Sequence, residues 1–247
     1  MLKIFNSLFV ELHANKVNFC NWKAHHSVES NLNGDGDLDL FIPLSYKSEF
    51  ERVAQKEGFK RVISFQAKHD FIEHYYALDR STLKFVHIHV YFKIVTGEHV
   101  SKNYILPLEG YILNNLDSSS VLPTINAPGQ LSIFLIRYFL KIGSLYGLLQ
   151  YWREIEKYSN EWNSYNHKIE YKGIVDLDLT SKDFDEMNKV YESSSFLRKI
   201  LLSLRLKNRL RRFRRRSFFQ LQIYIYINFI IRFMNKFFIK KKKMFDP

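Results

Sequence analysis

Cysteine is nearly absent: Cys20 stands alone among 247 residues. No intramolecular disulfide can form, which excludes a small disulfide-stapled scaffold and fits a reducing compartment. In the apolar run Val17–Trp22 this lone thiol reads as a small buried residue, not as a nucleophile. Acidic residues are missing from one stretch in particular. Arg198–Lys243 holds sixteen Lys or Arg and no Asp or Glu, so the net charge of +12 lies in one segment and the remainder is slightly acidic. No G-x-x-x-x-G-K-[ST] occurs, which excludes a Walker-type ATP loop within this chain. The opening MLKIFNSLFVELHANK carries Glu11 early and no small-residue cleavage site, so it reads as an amphipathic helix and not a signal peptide.

Apolar residues make up 46% of the chain, enough for a sizeable core and too many for a disordered one. Residues 17–22 read as a short strand, 24–32 as a short helix and Leu38–Ile42 as a strand closed by Pro43. A helix is expected over 45–57, capped by Ser45 or Ser48 and ended by Gly58. Strands are expected at 60–65 and 70–78, with the turn Asp79–Thr82 after them. Residues 83–94, LKFVHIHVYFKI, alternate clearly. Val86, Ile88, Val90, Phe92 and Ile94 form an apolar face; Phe85, His87, His89, Tyr91 and Lys93 form the other. After Pro107 the texture becomes helical: an apolar stretch over 130–152, one helix or two broken near Gly143, then a helical stretch over 178–210 starting at Thr180 or Ser181 and running through the serines 193–195.

The chemistry concentrates in NLNGDGDLDLFIP, residues 31–43. On a strand Asp37 and Asp39 project to one face while Leu38 and Leu40 enter the core. Two carboxylates on one face can share divalent metal and hold the oxygens of a phosphoryl group. They can equally be the polar edge of a strand leaving a loop. An EF-hand is excluded, because counting from Asp35 the sixth position is Leu40, not Gly, and the twelfth is Tyr46, not Glu. His87 and His89 are candidate general bases or ligands, or plain polar sheet residues. Lys23 and Lys102 can neutralise phosphate charge. His25 and His26 read as surface positions.

The glycine turn running into Asp-h-Asp-h, preceded by a strand and a short helix, resembles the DNA polymerase β-like nucleotidyltransferase superfamily. More closely, NWKAHHSVESNLNGDGDLDLFIP, KFVHIHVYFKIVTGEHVSKNYILPLE and QLSIFLIRYFLK resemble the nucleotidyltransferase-like segment of bacterial surface-polysaccharide-cluster proteins. In those proteins the segment often precedes a thymidylate-kinase-like domain. The likeness covers about residues 17–142. It implies an α+β fold: a nucleotidyltransferase-like mixed sheet with flanking helices, followed by a helical region and a basic C-terminal helix. It also implies Mg²⁺ or Mn²⁺ at Asp37 and Asp39, and a nucleoside triphosphate as substrate. His89 would then act on an acceptor, with Gly34, Gly36, Lys23, His87 and Lys102 around the nucleotide. Two features depart from the superfamily. Trp22-Lys23 stands where a Gly-Ser usually grips phosphates, and the 83–94 strand lacks the usual third carboxylate.

The expected organisation is an α+β domain over 1–117, a helical region over 118–197 and a basic amphipathic tail or linker over 198–247. In the tail, Phe218–Ile231 is shorter than the roughly 20 apolar residues a membrane-spanning helix needs, and Arg232 and Lys236 interrupt any extension. A helix lying on an anionic cytoplasmic leaflet fits the composition better. A cationic linker packing its apolar face on the body or on a kinase-like partner domain is the strongest single reading, and nucleic acid ranks below the membrane surface because no base-reading motif accompanies the run. The expected setting is cytoplasmic, with peripheral attachment to the inner membrane face left open.

Overall fold

The computed structural model describes residues 1–63, 69–98, 101–142, 155–165 and 170–243. Helix α1 (Lys3–Ala14) buries Phe5, Leu8, Phe9 and Leu12 along one stripe, the amphipathic pattern expected of it. The first strand is shorter than expected, only β1 (Cys20–Asn21). A 3-10 turn over His25–Ser27 leads into α2 (Val28–Leu32), then β2 (Asp37–Phe41). Helix α3 (Lys47–Lys56) is entered through a second 3-10 turn, Leu44–Tyr46. Its N-cap is therefore Tyr46, without a side-chain bond, in place of Ser45 or Ser48. Gly58 ends it with φ +85°, a left-handed conformation that glycine adopts without strain.

Strands β3 (Lys60–Val62), β4 (Ile72–Asp79) and β5 (Lys84–Tyr91) form an antiparallel meander. The far end of the expected 60–65 strand lies outside the described residues. The β4–β5 turn is held by Asp79, whose carboxylate accepts from the amides of Ser81 and Thr82. The legible 83–94 strand stops at Tyr91. Phe92 turns its amide to the carbonyl of Phe71, and β6 (Ile94–Thr96) pairs instead with β7 (Tyr104–Leu106) in a separate ribbon. After α4 (Glu109–Leu113), the short strands β8 (Leu116–Asp117) and β9 (Thr124–Ile125) rejoin the main sheet, so the sheet continues past residue 117.

Its order is β3-β4-β5-β2-β1-β9-β8, with β2/β5 and β1/β9 parallel and the other pairs antiparallel. The architecture is a mixed seven-stranded sheet with flanking helices, an α+β fold. One face packs Leu38, Leu40, Val86, Ile88 and Val90 into a cluster with residues of α1 and α3. The opposite face changes character along β2 and β5. It begins with Asp37, Asp39, His87 and His89 and ends with buried Phe41 and Tyr91, which join the core of the helical half.

That helical half is built on α5 (Ala127–Lys141), buried almost all round and capped by the Asn126 side chain at Gly129 N. The expected break near Gly143 lies outside the described residues. Residues 155–163 are helical (α6). The helix expected from Thr180 begins with a full capping box to Asp183, but it is two helices, α7 (Ser181–Glu192) and α8 (Phe196–Arg209). The serine run 193–195 divides them, since Ser195 is more useful as the α8 cap than as helix interior.

The basic segment is no free tail along its first third. Ser203 Oγ donates to the carbonyls of Phe139 and Ile142, and Lys207 Nζ lies 2.8 Å from Glu98 Oε1 with both side chains buried. Asn103 receives the amides of Arg215 and Arg216 through its carbonyl and side-chain oxygens. Only α9 (Phe218–Lys243) then carries the remaining charge. Among the described residues, no helix is long and apolar enough to cross a membrane.

Candidate functional site

Register brings the acidic and histidine pairs together. β2 and β5 are parallel neighbours, with Asp37 opposite His87 and Asp39 opposite His89. β4 continues both rows, placing His74 opposite His89 and Tyr76 opposite His87. Cross-strand neighbours on one face lie close enough for side chains to touch. Asp37 Oδ1 stands 2.7 Å from His87 Nδ1, and Asp37 Oδ2 lies 3.8 Å from His89 Nε2. Asp39 Oδ1 is 3.5 Å from His89 Nδ1 and 2.9 Å from Lys23 Nζ.

The two carboxylates differ in environment. Asp37 is 53% exposed, and the hydrogen bond from His87 holds its carboxyl below the usual range. Asp39 is 12% exposed; burial favours its neutral form, but Lys23 and His89 outweigh this and hold it far below the usual range. Burial likewise favours neutral Lys23, and the adjacent Asp39 reverses that and raises its pKa. Burial, with His89 and His87 beside it, pushes His74 down to about 4. At neutral pH the face therefore carries two ionised carboxylates and a neutral His74 beside them.

Beside the carboxylates opens a cavity of about 370 Å³. Trp22, Asp37, Asp39, His89 and Tyr91 line it on the sheet side, and Lys102, Arg137, Lys141 and Lys157 line it elsewhere. The Tyr91 hydroxyl accepts from both Lys23 Nζ (2.7 Å) and Lys102 Nζ (3.1 Å), so two ammonium groups converge on one phenolic oxygen. Arg137, on α5, is anchored to Glu161 at 2.9 Å and lies over the Trp22 ring at 5.7 Å. Several fixed cations around one concavity suit a polyanionic ligand such as a polyphosphate.

Of the expected residues, Asp37, Asp39, His89, Lys23 and Lys102 line the cavity, and His87 stands behind Asp37. Gly34 and Gly36 lie outside that lining and shape the turn. Gly34 has φ +82°, and a Cβ on Gly36 would come within 2.4 Å of Asn31 Oδ1. Asn31 in turn donates to the Asp37 carbonyl at 2.8 Å, fixing the start of β2. His25 corrects its surface reading: its Nδ1 lies 3.3 Å from Asn21 Nδ2, and burial lowers its pKa to about 4. Arg137 and His74 have no place in the sequence-based expectations, and Tyr91 enters them only as part of the face it shares with His87 and His89. Arg137 had a signal, being the lone charge inside the apolar run LSIFLIRYFL. Cys20 is buried, and burial pushes its thiol up, away from nucleophile chemistry.

The donor set fits a divalent cation. Asp37 and Asp39 offer hard oxygens to Mg²⁺ or Mn²⁺, and His89 between them adds an imidazole that Mn²⁺ accepts more readily. Among the described residues no third carboxylate lines the cavity. No protein-family model, curated protein or solved structure matches the chain.

Proposed function

We propose that the cavity binds a nucleoside triphosphate and that the protein transfers its nucleotidyl group to an acceptor. One observation carries the reading: the same-face carboxylates Asp37 and Asp39 and the cations Lys23, Lys102 and Arg137 border one concavity. Asp37 and Asp39 would hold Mg²⁺ or Mn²⁺, which when bound neutralises charge on the phosphoryl oxygens. Lys23 and Lys102 bind the phosphates, and Tyr91 orients both ammonium groups toward them. His89, backed by Asp39, is the histidine that lines the cavity, and it takes the proton of the acceptor hydroxyl. The family resemblance points the acceptor toward surface-polysaccharide biosynthesis. The exposed Ile223, Tyr226, Ile227 and Ile230 of α9, followed in sequence by Arg232, Lys236 and Lys240–Lys243, support attachment to an anionic membrane surface or a kinase-like partner domain.

A second reading is a nucleotide-binding or scaffold module without transfer activity. The ion pair between Lys23 and Asp39 favours it, as does the lack of a third cavity carboxylate among the described residues. Pyrophosphate release separates the two. With Mn²⁺ or Mg²⁺, each nucleoside triphosphate and a panel of sugar and polyol acceptors, the enzyme reading expects release that D37N/D39N abolishes. Binding without release from any acceptor supports the module.

A further inference from the structure

His74, His87 and His89 form a second candidate metal centre on the same sheet face. Each offers a ring nitrogen, and the three atoms lie within 4.8 Å of one another. The topology produces this directly. His87 and His89 are two apart on β5 and so share a face, while His74 is the antiparallel partner of His89 on β4. His74 Nδ1 and His87 Nε2 are 3.1 Å apart, near the roughly 3.3 Å that two imidazole nitrogens on a tetrahedral Zn²⁺ require with bonds of about 2.0–2.1 Å.

A second, independent feature points the same way. His87 Nδ1 lies 2.7 Å from Asp37 Oδ1, a carboxylate that can only accept, and this contact turns the ring so that Nε2 faces His74 Nδ1 at 3.1 Å. Metal-bound histidines characteristically give their other ring N–H to a carboxylate in this way. The Tyr76 ring, stacked on His87 at 4.0 Å, holds the imidazole plane.

We infer that these three histidines bind a transition-metal ion, Zn²⁺ by ligand type, with Asp37 as the orienting carboxylate. Three imidazoles leave a tetrahedral ion one open position for water or an anionic ligand. The inference does not rest on the nucleotide reading: His74 lies outside the cavity lining, and although His89 and Asp37 line it, a Zn²⁺-bound His89 is a ligand and no longer the base of that reading.

The test is a Zn²⁺ titration of the full chain against a competing chromophoric chelator, with Co²⁺ spectroscopy as a second readout. Wild type is expected to take up one equivalent and to give the intense visible bands of a tetrahedral Co²⁺ site. His74→Ala should weaken Zn²⁺ by at least 100-fold, and Asp37→Asn by about 10–100-fold, as removal of an outer carboxylate does. His74→Cys restores a ligand and should retain tight binding, which guards against simple unfolding of the alanine variant. Absence of tight Zn²⁺ binding in wild type overturns the inference. So does unchanged affinity in His74→Ala. Nucleoside triphosphate binding with Mg²⁺ should persist in His74→Ala, so failure of either site is seen separately.

Discussion

Lys23 Nζ stands 2.9 Å from Asp39 Oδ1, and both side chains are largely buried. The more buried of the two carboxylates therefore already has a cation beside it, which makes it the one more sensitive to its neighbours. Lys23→Met leaves Asp39 ionised and unpaired by Lys23, at a cost of about 2–4 kcal/mol for breaking a buried pair. Urea unfolding checks this, and adding D39N to K23M should recover part of the loss. Equal losses in the single and double variants would contradict it.

The glycine turn acts on the site through Asn31. Gly36→Ala drives a Cβ into Asn31 Oδ1 and displaces the amide that holds the Asp37 carbonyl. The expected cost is about 1–2 kcal/mol, in line with a lost buried hydrogen bond. Divalent-metal affinity should fall with it, because Asp37 loses its fixed backbone. A G36A variant with wild-type stability and metal affinity would show the turn to be permissive.

Acid should destabilise the fold through His25. Its pKa is about 4 when folded and about 6.5 in the unfolded chain, where it is hydrated. Between those values the unfolded state binds the extra proton. Stability is thus full above pH 6.5 and is lost as the pH falls toward 4, by on the order of 3 kcal/mol from this residue. Urea midpoints measured across that window should fall less steeply for His25→Asn than for wild type. Parallel slopes would contradict the assignment.

The first part of the basic segment is structural. Lys207 and Glu98 form a buried pair at 2.8 Å, and Glu98 also accepts from Ser101 Oγ. Lys207→Met should cost about 3–5 kcal/mol, as loss of one partner from a buried ion pair does. E98Q/K207M should be more stable than K207M alone. A neutral K207M would mean that α8 does not depend on this anchor.

Alternation made the sheet face legible. Residues 83–94 place His87 and His89 opposite the core-facing valines and isoleucine in the sequence as in the fold, and Asp37 and Asp39 follow the same rule. What alternation does not carry is strand order. That β2 lies parallel to β5, bringing Asp37 to His87, is a long-range pairing that no local pattern encodes. The same gap hid His74, whose meaning comes only from its partner across β4–β5. Arg137 was hidden by its surroundings: an apolar helix reads as core, and its buried ion pair with Glu161 is 24 residues distant. The serine run 193–195 was read as continuous helix because its flanks are strong helix formers, although its hydroxyls favour caps.

Under the proposed function, Asp37, Asp39 and the facing cations work as one metal-dependent nucleotide site. Titration calorimetry with ATP, CTP, GTP and UTP, with and without Mg²⁺ or Mn²⁺, tests it most directly on wild type and D37N/D39N. Saturable binding of at least one triphosphate is expected, requiring the divalent ion and disappearing in the double variant. No binding of any triphosphate, or binding of equal strength in D37N/D39N, would contradict it.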